Sequence, residues 1–221
     1  MLDTMDGVRD ASQLSFHVPL ASAPVIRLAT PADGARLAEI YAPAVVGSGI
    51  SFELEPPDGT EMARRVSYVT ARTPWLVVEH RGVVAGYAYA GRFRERAAYD
   101  WSVEVSAYVG AEHHRSGVAR ALYTSLFAAL AVQGFHNAYA GVALPNDASL
   151  ALHAAMGFTL VGTYQRVGYK LGQWRDVRWF ERAIVPHASD PRPPRLLPDL
   201  RDDAAFVAAL AAGESLLRLP S

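Results

Sequence analysis

The sequence predicts an α/β (α+β) domain built on one mixed, mostly antiparallel sheet flanked by helices. Three observations carry that expectation. β-branched segments alternate with segments whose apolar residues recur at helical spacing. Between residues 74 and 109 three strand-like runs follow one another, the pattern of an antiparallel meander. Half of the 221 residues are hydrophobic, enough for one sizeable buried core.

The first 24 residues show little periodicity and are read as an N-terminal extension. They mix acids with scattered apolar residues, without a basic leader or a continuous apolar run, so no secretory signal is expected. VIRLAT opens the domain as a strand and runs into Thr30-Pro31, an N-cap followed by proline in the first helical turn. Leu37, Ile40 and Tyr41 then share one helix face. SGISFELEP reads as a loop bearing Phe52, and DGTEMARRVSYVTART as a second helix on which Met62, Val66 and Val69 recur. PWLVVEH, the turn Arg81-Gly82 and VVAGYAYAGRF form a hairpin, with YDWSVEVSAYV as the next strand. GVARALYTSLFAALAVQ is apolar over most of its surface, so it is a helix buried against the sheet. HNAYAGVAL is a strand; Asn146-Asp147 caps the helix ASLALHAAM, which stops at Gly157.

TLVGTYQRVGYKL and DVRWFERAI complete the domain near Val185, giving units of 1–24, 25–185 and 186–221. The last unit joins a proline-rich extended linker, PHASDPRPPRLLP, to an amphipathic helix, DLRDDAAFVAALAAGESLLRL. That helix is expected either to dock on the body or a neighbouring subunit, or to fray.

Composition excludes several classes. Lys+Arg 21 against Asp+Glu 22 leaves a net charge of -1, so no global basic field serves nucleic acid and any phosphate binding is local. The chain has no cysteine, which removes disulfides, thiolate metal sites and thiol nucleophiles and agrees with a cytoplasmic location. No apolar run is long enough for a membrane helix.

The stretch YVGAEHHRSGVARALYTSLF, from Tyr108 to Phe127, takes a strand end through a glycine-bearing loop into a helix. The amides at such a helix start lack intrahelical partners and face with the positive end of the dipole, which suits an anion. Gly117 admits close approach, Ala119 keeps the next turn small, and Arg115 and Arg120 supply charge for a diphosphate. The plainer reading is a loop-to-helix junction whose glycine serves its dihedral angles. No Gly-Lys-Ser/Thr follows, so the NTPase phosphate loop is excluded, and a lone glycine does not make a dinucleotide fingerprint. An acyl-CoA diphosphate fits better, with its pantetheine arm lying along Ala107, Tyr108 and Val109 like an added strand.

The order of elements together with HHRSGVA resembles the GNAT superfamily of N-acetyltransferases, whose signature here is Gln/Arg-x-x-Gly-x-Gly/Ala. His114 stands at the Gln/Arg position, and Gly117 and Ala119 match. NDASLALHAAMGF resembles the second half of the signature. Within the superfamily, TPWLVVE, GYAYAGRFRERAAYDW, LPNDASLALHAAMGF and GYKLGQWRDVRWF together resemble the phosphinothricin-type acetyltransferases, over about Val25 to Val185. The resemblance implies the acyl-CoA N-acyltransferase fold and acetyl-CoA as co-substrate. It also implies a cofactor site of Ala107, Tyr108, Val109, His114, Arg115, Ser116, Gly117, Val118, Ala119, Arg120 and Asn146, the last bonding the cofactor arm.

Acetyl transfer to an amine needs a deprotonated nitrogen and a stabilised oxyanion. Glu104 sits in mid-strand among Val, Ala and Trp, where an acid is costly unless it is partnered or employed, and burial would raise its pKa. The alternative is a residue on the solvated face. The resemblance implies that Glu104 is the general base, acting directly or through a water, and that a splayed strand frees an oxyanion donor near Val105 to Ala107. His153 stands where most relatives carry a tyrosine near the thioester sulfur, which implies an acid, an orienter or a second base; a satisfied core histidine is the alternative. Arg94 and Arg96 flank Glu95, and strand spacing would put both guanidiniums on one face, suiting a carboxylate and a second oxyanion. The alternative there is a solvated arginine-rich turn. The resemblance implies such a basic pair, with Phe52, Tyr99 and Ser106 lining the pocket; Phe93 and Glu95 depart from relatives and would reshape it.

The expectation is a cytoplasmic, homodimeric N-acetyltransferase that needs no metal and acetylates a small amino-acid analogue such as phosphinothricin. One rival changes the acceptor to methionine sulfone, methionine sulfoximine or another amine. The other is a non-catalytic acyl-CoA-binding sensor.

Overall fold

The computed structural model describes residues 23–220, so the N-terminal extension up to residue 22 lies outside the described residues. The elements run β1 (Val25–Leu28), α1 (Gly34–Val46), α2 (Gly59–Thr70), β2 (Trp75–His80), β3 (Val83–Arg92), β4 (Ser102–Val109), α3 (Val118–Gln133), β5 (Asn137–Ala143), α4 (Asp147–Ala155), β6 (Thr159–Lys170), β7 (Gln173–Ala183) and α5 (Ala204–Leu210), linked by short 3-10 turns. One seven-stranded sheet has the order β1-β2-β3-β4-β5-β7-β6. Among the described strands only β4 and β5 pair in parallel. The parallel pair needs a crossover, and α3 supplies it.

Local sequence explains the joints. Arg81 and Gly82 both have positive φ, 53° and 75°, the turn whose twist suits a two-residue hairpin between β2 and β3. Asp58 caps α2 by accepting the Glu61 N–H at 2.8 Å, and Asn146 caps α4 by accepting the Ser149 N–H at 3.2 Å. Before α1, Thr30 is the N-cap of a 3-10 turn with Pro31 in its first positions, as expected, and Asp33 closes the capping box. The Asp33 carboxylate accepts the Thr30 N–H at 2.7 Å and pairs with Arg27 at 2.8 Å, so residues 31–33 form a 3-10 turn and the α-helix starts at Gly34.

The core lies on both sides of the sheet. On one face α1 and α2 cover Trp75, Val77, Val84 and Tyr87. On the other, α3 and the end of α4 cover Leu76, Val78, Ala88, Val103 and Val105. Strand β2 is therefore buried on both faces, which is why PWLVVEH reads as a continuous apolar run rather than an alternation.

The structure corrects two expectations. Strand β3 ends at Arg92, and residues 93–96 form a bend before a 3-10 turn at Ala97–Tyr99, so strand spacing does not align Arg94 with Arg96. The terminal helix is also shorter than its periodicity predicts. Asp203 is extended and caps α5 through the N–H groups of Ala205 and Phe206, and the chain turns again at Glu214–Leu216. The tail does dock on the body. Leu197, Leu200 and Phe206 are fully buried beside Ala129 of α3, each worth about 1.5–3 kcal/mol relative to exposure. The proline-rich stretch is extended but tied down, with Arg195 N–H on the Gln133 carbonyl at 2.8 Å and Trp101 Nε1 on the Arg192 carbonyl at 2.8 Å.

Candidate active site

The parallel pairing of β4 with β5 lasts three positions, Ser102 with Asn137, Val103 with Ala138 and Glu104 with Tyr139. Both strands continue beyond that point, β4 to Val109 and β5 to Ala143, without pairing to each other. Glu104 therefore stands where the sheet forks. Past it, the β5-facing backbone groups of Val105 to Val109 lie along an opening rather than a ladder. One of them is taken: the His114 ring lies 3.2 Å from the Val109 carbonyl through Nε2, bracing the loop that follows.

Parity along β4 sends Val103 and Val105 to the α3 face and Glu104, Ser106 and Tyr108 to the α1–α2 face. Burial pushes the Glu104 carboxyl above the usual carboxylate range, and the nearby positive Arg94 opposes that rise. Ser106 pairs across β3–β4 with Tyr89. Tyr108 meets Tyr41 edge-on at 4.8 Å and Tyr87 at 5.4 Å. Tyr41, Tyr87, Tyr89 and Tyr108 line a cavity of about 110 Å³ with Trp75 and Arg65. Burial raises the pKa of all four, that of Tyr41 to about 12, so they remain protonated donors.

At the start of α3, Arg115 and Gly117 both have positive φ, 62° and 82°, which bends the loop back on itself. Gly117 is the N-cap of α3, and the first helical bond is Ala121 N–H to its carbonyl. The amides from Arg115 to Arg120 have no hydrogen-bond partner among the described residues. Ser116 Oγ donates to the His113 carbonyl. Arg115 and Arg120 are exposed and neither pairs with an acid among the described residues. Half-buried Ala119 and buried Val118 keep the first turn slim. A row of unpaired amides at the positive end of a helix dipole, flanked by two guanidiniums, can hold a diphosphate. Gly117→Ala is expected to cost at least ~1 kcal/mol from the left-handed backbone alone, and its Cβ would also overlap Leu216 O; chemical denaturation measures the loss.

His153 is 4% exposed and packs on the α3 face, stacked on Phe180 and edge-on to Phe158 and Tyr123. Its Nδ1 lies 2.8 Å from the Ser149 carbonyl, and its Nε2 lies 3.4 Å from the Tyr123 hydroxyl. Burial lowers its pKa and keeps it neutral. Glu104 and His153 thus lie on opposite faces of the sheet. Asn146 spends its side-chain oxygen on the α4 cap and keeps its amide N–H groups.

Next to Glu104 the structure groups Arg94, Phe93 and Tyr99. Arg94 lies over the rings of Phe93 at 4.2 Å and Trp179 at 5.5 Å. Phe93 stacks on Tyr139, the pairing partner of Glu104, at 4.2 Å, and meets Tyr99 edge-on. Arg96 is exposed and does not join this group. Phe52, 40% exposed, seats on Gly168 of β6. Sequence reasoning missed Tyr139, Trp179 and Tyr123. The signal for Tyr139 is its register opposite Glu104, which depends on a parallel pairing no local pattern specifies.

Comparison with known proteins shows the family. The acetyltransferase (GNAT) domain family matches residues 26–179. A phosphinothricin N-acetyltransferase of Streptomyces viridochromogenes is 43% identical over 170 residues, 77% of this chain and 92% of that protein. An L-methionine sulfoximine/L-methionine sulfone acetyltransferase of Salmonella typhimurium is 34% identical over 74% of this chain and 96% of its own length. Among solved structures, a GNAT superfamily phosphinothricin acetyltransferase from Sinorhizobium meliloti, in complex with acetyl-CoA, superposes with a TM-score of 0.72 at 33% identity, covering 80% of this chain and 99% of that one. With a forked sheet, an amide-lined loop and these relatives, the chain belongs to the GNAT acetyltransferase family.

Proposed function

We propose that the protein transfers the acetyl group of acetyl-CoA to the α-amine of a small amino-acid analogue such as phosphinothricin, with Glu104 as general base. The observation that carries this is the position of a half-buried carboxylate, its pKa raised by burial, at the fork between β4 and β5. Acetyl-CoA supplies an activated acetyl carbon and a thiolate leaving group. The unpaired amides of Arg115 to Arg120 hold the diphosphate, and the open edge of Ala107 to Val109 with the Asn146 amide aligns the arm. Glu104 takes a proton from the acceptor's ammonium, directly or through a water, and frees the nitrogen lone pair for attack. Backbone N–H groups between Val105 and Ala107 stabilise the charge that grows on the carbonyl oxygen; collapse then breaks the C–S bond, and the second proton lost by the nitrogen leaves with the CoA thiolate as thiol. His153, neutral and held by Ser149, orients the Tyr123 hydroxyl on the sulfur side.

Arg94, over the rings of Phe93 and Trp179, binds the acceptor's carboxylate. Phe52, Tyr99 and Ser106 complete the pocket. A second acceptor class, methionine sulfone and sulfoximine, is favoured by the aromatic walls Phe93, Tyr139 and Trp179, which suit a side chain of the same length without the phosphinate charge. We read the active form as a cytoplasmic homodimer. Its support is the row Leu160, Val161, Tyr164, Val167 and Tyr169, all exposed on edge strand β6, with Trp174 exposed opposite on β7.

Thiol release with acetyl-CoA and a panel of amines tests the reading. Turnover above background with phosphinothricin, methionine sulfone or methionine sulfoximine supports it. No rate with any amino acid removes the substrate class, and acetyl-CoA binding without transfer to any amine makes the protein a sensor.

A further inference from the structure

The C-terminal segment beyond the family match lies on the loop that precedes α3. Gly213 N–H donates to Ser125 Oγ at 3.0 Å, in the second turn of α3. The Leu216 carbonyl rests against Gly117, so closely that no side chain fits between them. Arg218 N–H donates to the Ser116 carbonyl at 2.8 Å. Leu216, Leu217 and Leu219 pack on the same core as Val118 and Ala121, and the Glu214 carboxylate accepts the Ile26 N–H at 2.9 Å, tying the segment to β1 as well.

These contacts have a directional consequence. A trans peptide points its C=O and N–H to opposite sides. With the Ser116 carbonyl pinned to Arg218, the Gly117 N–H is turned to the side the segment leaves uncovered. The segment also spares the loop an orphan acceptor, since a free Ser116 carbonyl beside the unpaired amides would repel an anion. Next to the loop lies a cleft of about 570 Å³, lined by Arg120, Thr124, Met156, Gly157, Arg182 and Leu216. Leu216 therefore touches the loop through its backbone and walls the cleft.

We infer that residues 213–219 form a strap that positions the diphosphate loop for acetyl-CoA, a role that rests on the loop's reading above. The strap makes no chemical step. It fixes the direction of one amide and holds the loop in its left-handed bends before ligand arrives, which lowers the ordering cost of binding.

Arg218→Pro removes the single N–H donor. Leu217, with ψ of 134°, already has the extended backbone that a following proline requires. Calorimetric titration with CoA is expected to give a Kd raised about fivefold, the worth of one backbone hydrogen bond. In turnover the KM for acetyl-CoA rises likewise, while kcat and the amine KM stay within about twofold, and the thermal midpoint stays near wild type. Gly213→Ala lifts the same segment by a different route, since its Cβ would overlap the Ala121 carbonyl, and is expected to weaken CoA with some loss of thermal stability. Unchanged CoA affinity in both variants overturns the inference, and so does tighter binding, which would make the strap a competitor. A wild-type chain that does not bind CoA removes the functional reading itself, and the strap's role with it.

Discussion

Glu104→Gln is expected to lower kcat/KM for the amine by about 10²- to 10⁴-fold with the Kd for CoA unchanged, because general-base assistance is removed and the cofactor contacts are not. The variant's pH profile separates this from a packing defect. A general base works deprotonated, so wild-type activity falls as pH drops through the Glu104 pKa. Burial raises that pKa, which places the acidic limb above the usual carboxylate range. Glutamine does not titrate, so the limb should disappear along with the rate. Arg94 opposes the rise, so Arg94→Ala should shift the limb to higher pH and also raise the amine KM through loss of the carboxylate contact. A Glu104→Gln enzyme with near-normal turnover, or one that keeps the wild-type acidic limb, would assign the base elsewhere.

Lys170→Met is the second large effect. Lys170 is 5% exposed, and its ammonium has no acidic partner among the described residues; it donates to the Val45 carbonyl and, at 2.7 Å, to the Ser51 carbonyl. Val45 lies in the last turn of α1, where carbonyls lack helical partners and the dipole favours a cation. A residue of β6 thus caps α1 and fastens the loop that follows it. Methionine fills similar volume but leaves two buried carbonyls unpaired at about 1–3 kcal/mol each, partly offset by the desolvation of the ammonium no longer required. A net loss of about 2–3 kcal/mol lowers the thermal midpoint of a chain this size by about 5–10 °C. Phe52 follows Ser51 and seats on Gly168, two residues before Lys170, so the amine KM should rise while the acetyl-CoA KM holds. Equal changes in both KM values would show that the loop does not belong to the acceptor side.

Much of this molecule was legible in the sequence. The strand and helix order, the cap at Asn146, the stop at Gly157 and the hairpin at Arg81-Gly82 depend on residues within a few positions of one another, so local pattern suffices. The failures came where a distant partner overrode a local period. Arg94 and Arg96 look like alternate strand positions, yet β3 stops at Arg92, and aromatic contacts with Phe93 and Trp179 place only Arg94. The terminal helix has helical periodicity over some twenty residues, but Asp203 and Gly213 break it so that the segment can follow α3.

By itself, then, the sequence determined which residue types were at hand: an acid in an apolar strand, a glycine before an apolar helix, and no thiol. Tertiary structure alone decided where they meet. The three-position register that stops at Glu104, the opposite faces of Glu104 and His153, and the tail's backbone on Gly117 all join residues far apart in the chain. The physical reason is that periodicity reports which face a side chain leaves from, whereas strand divergence and backbone-to-backbone contact are set by packing across the whole core.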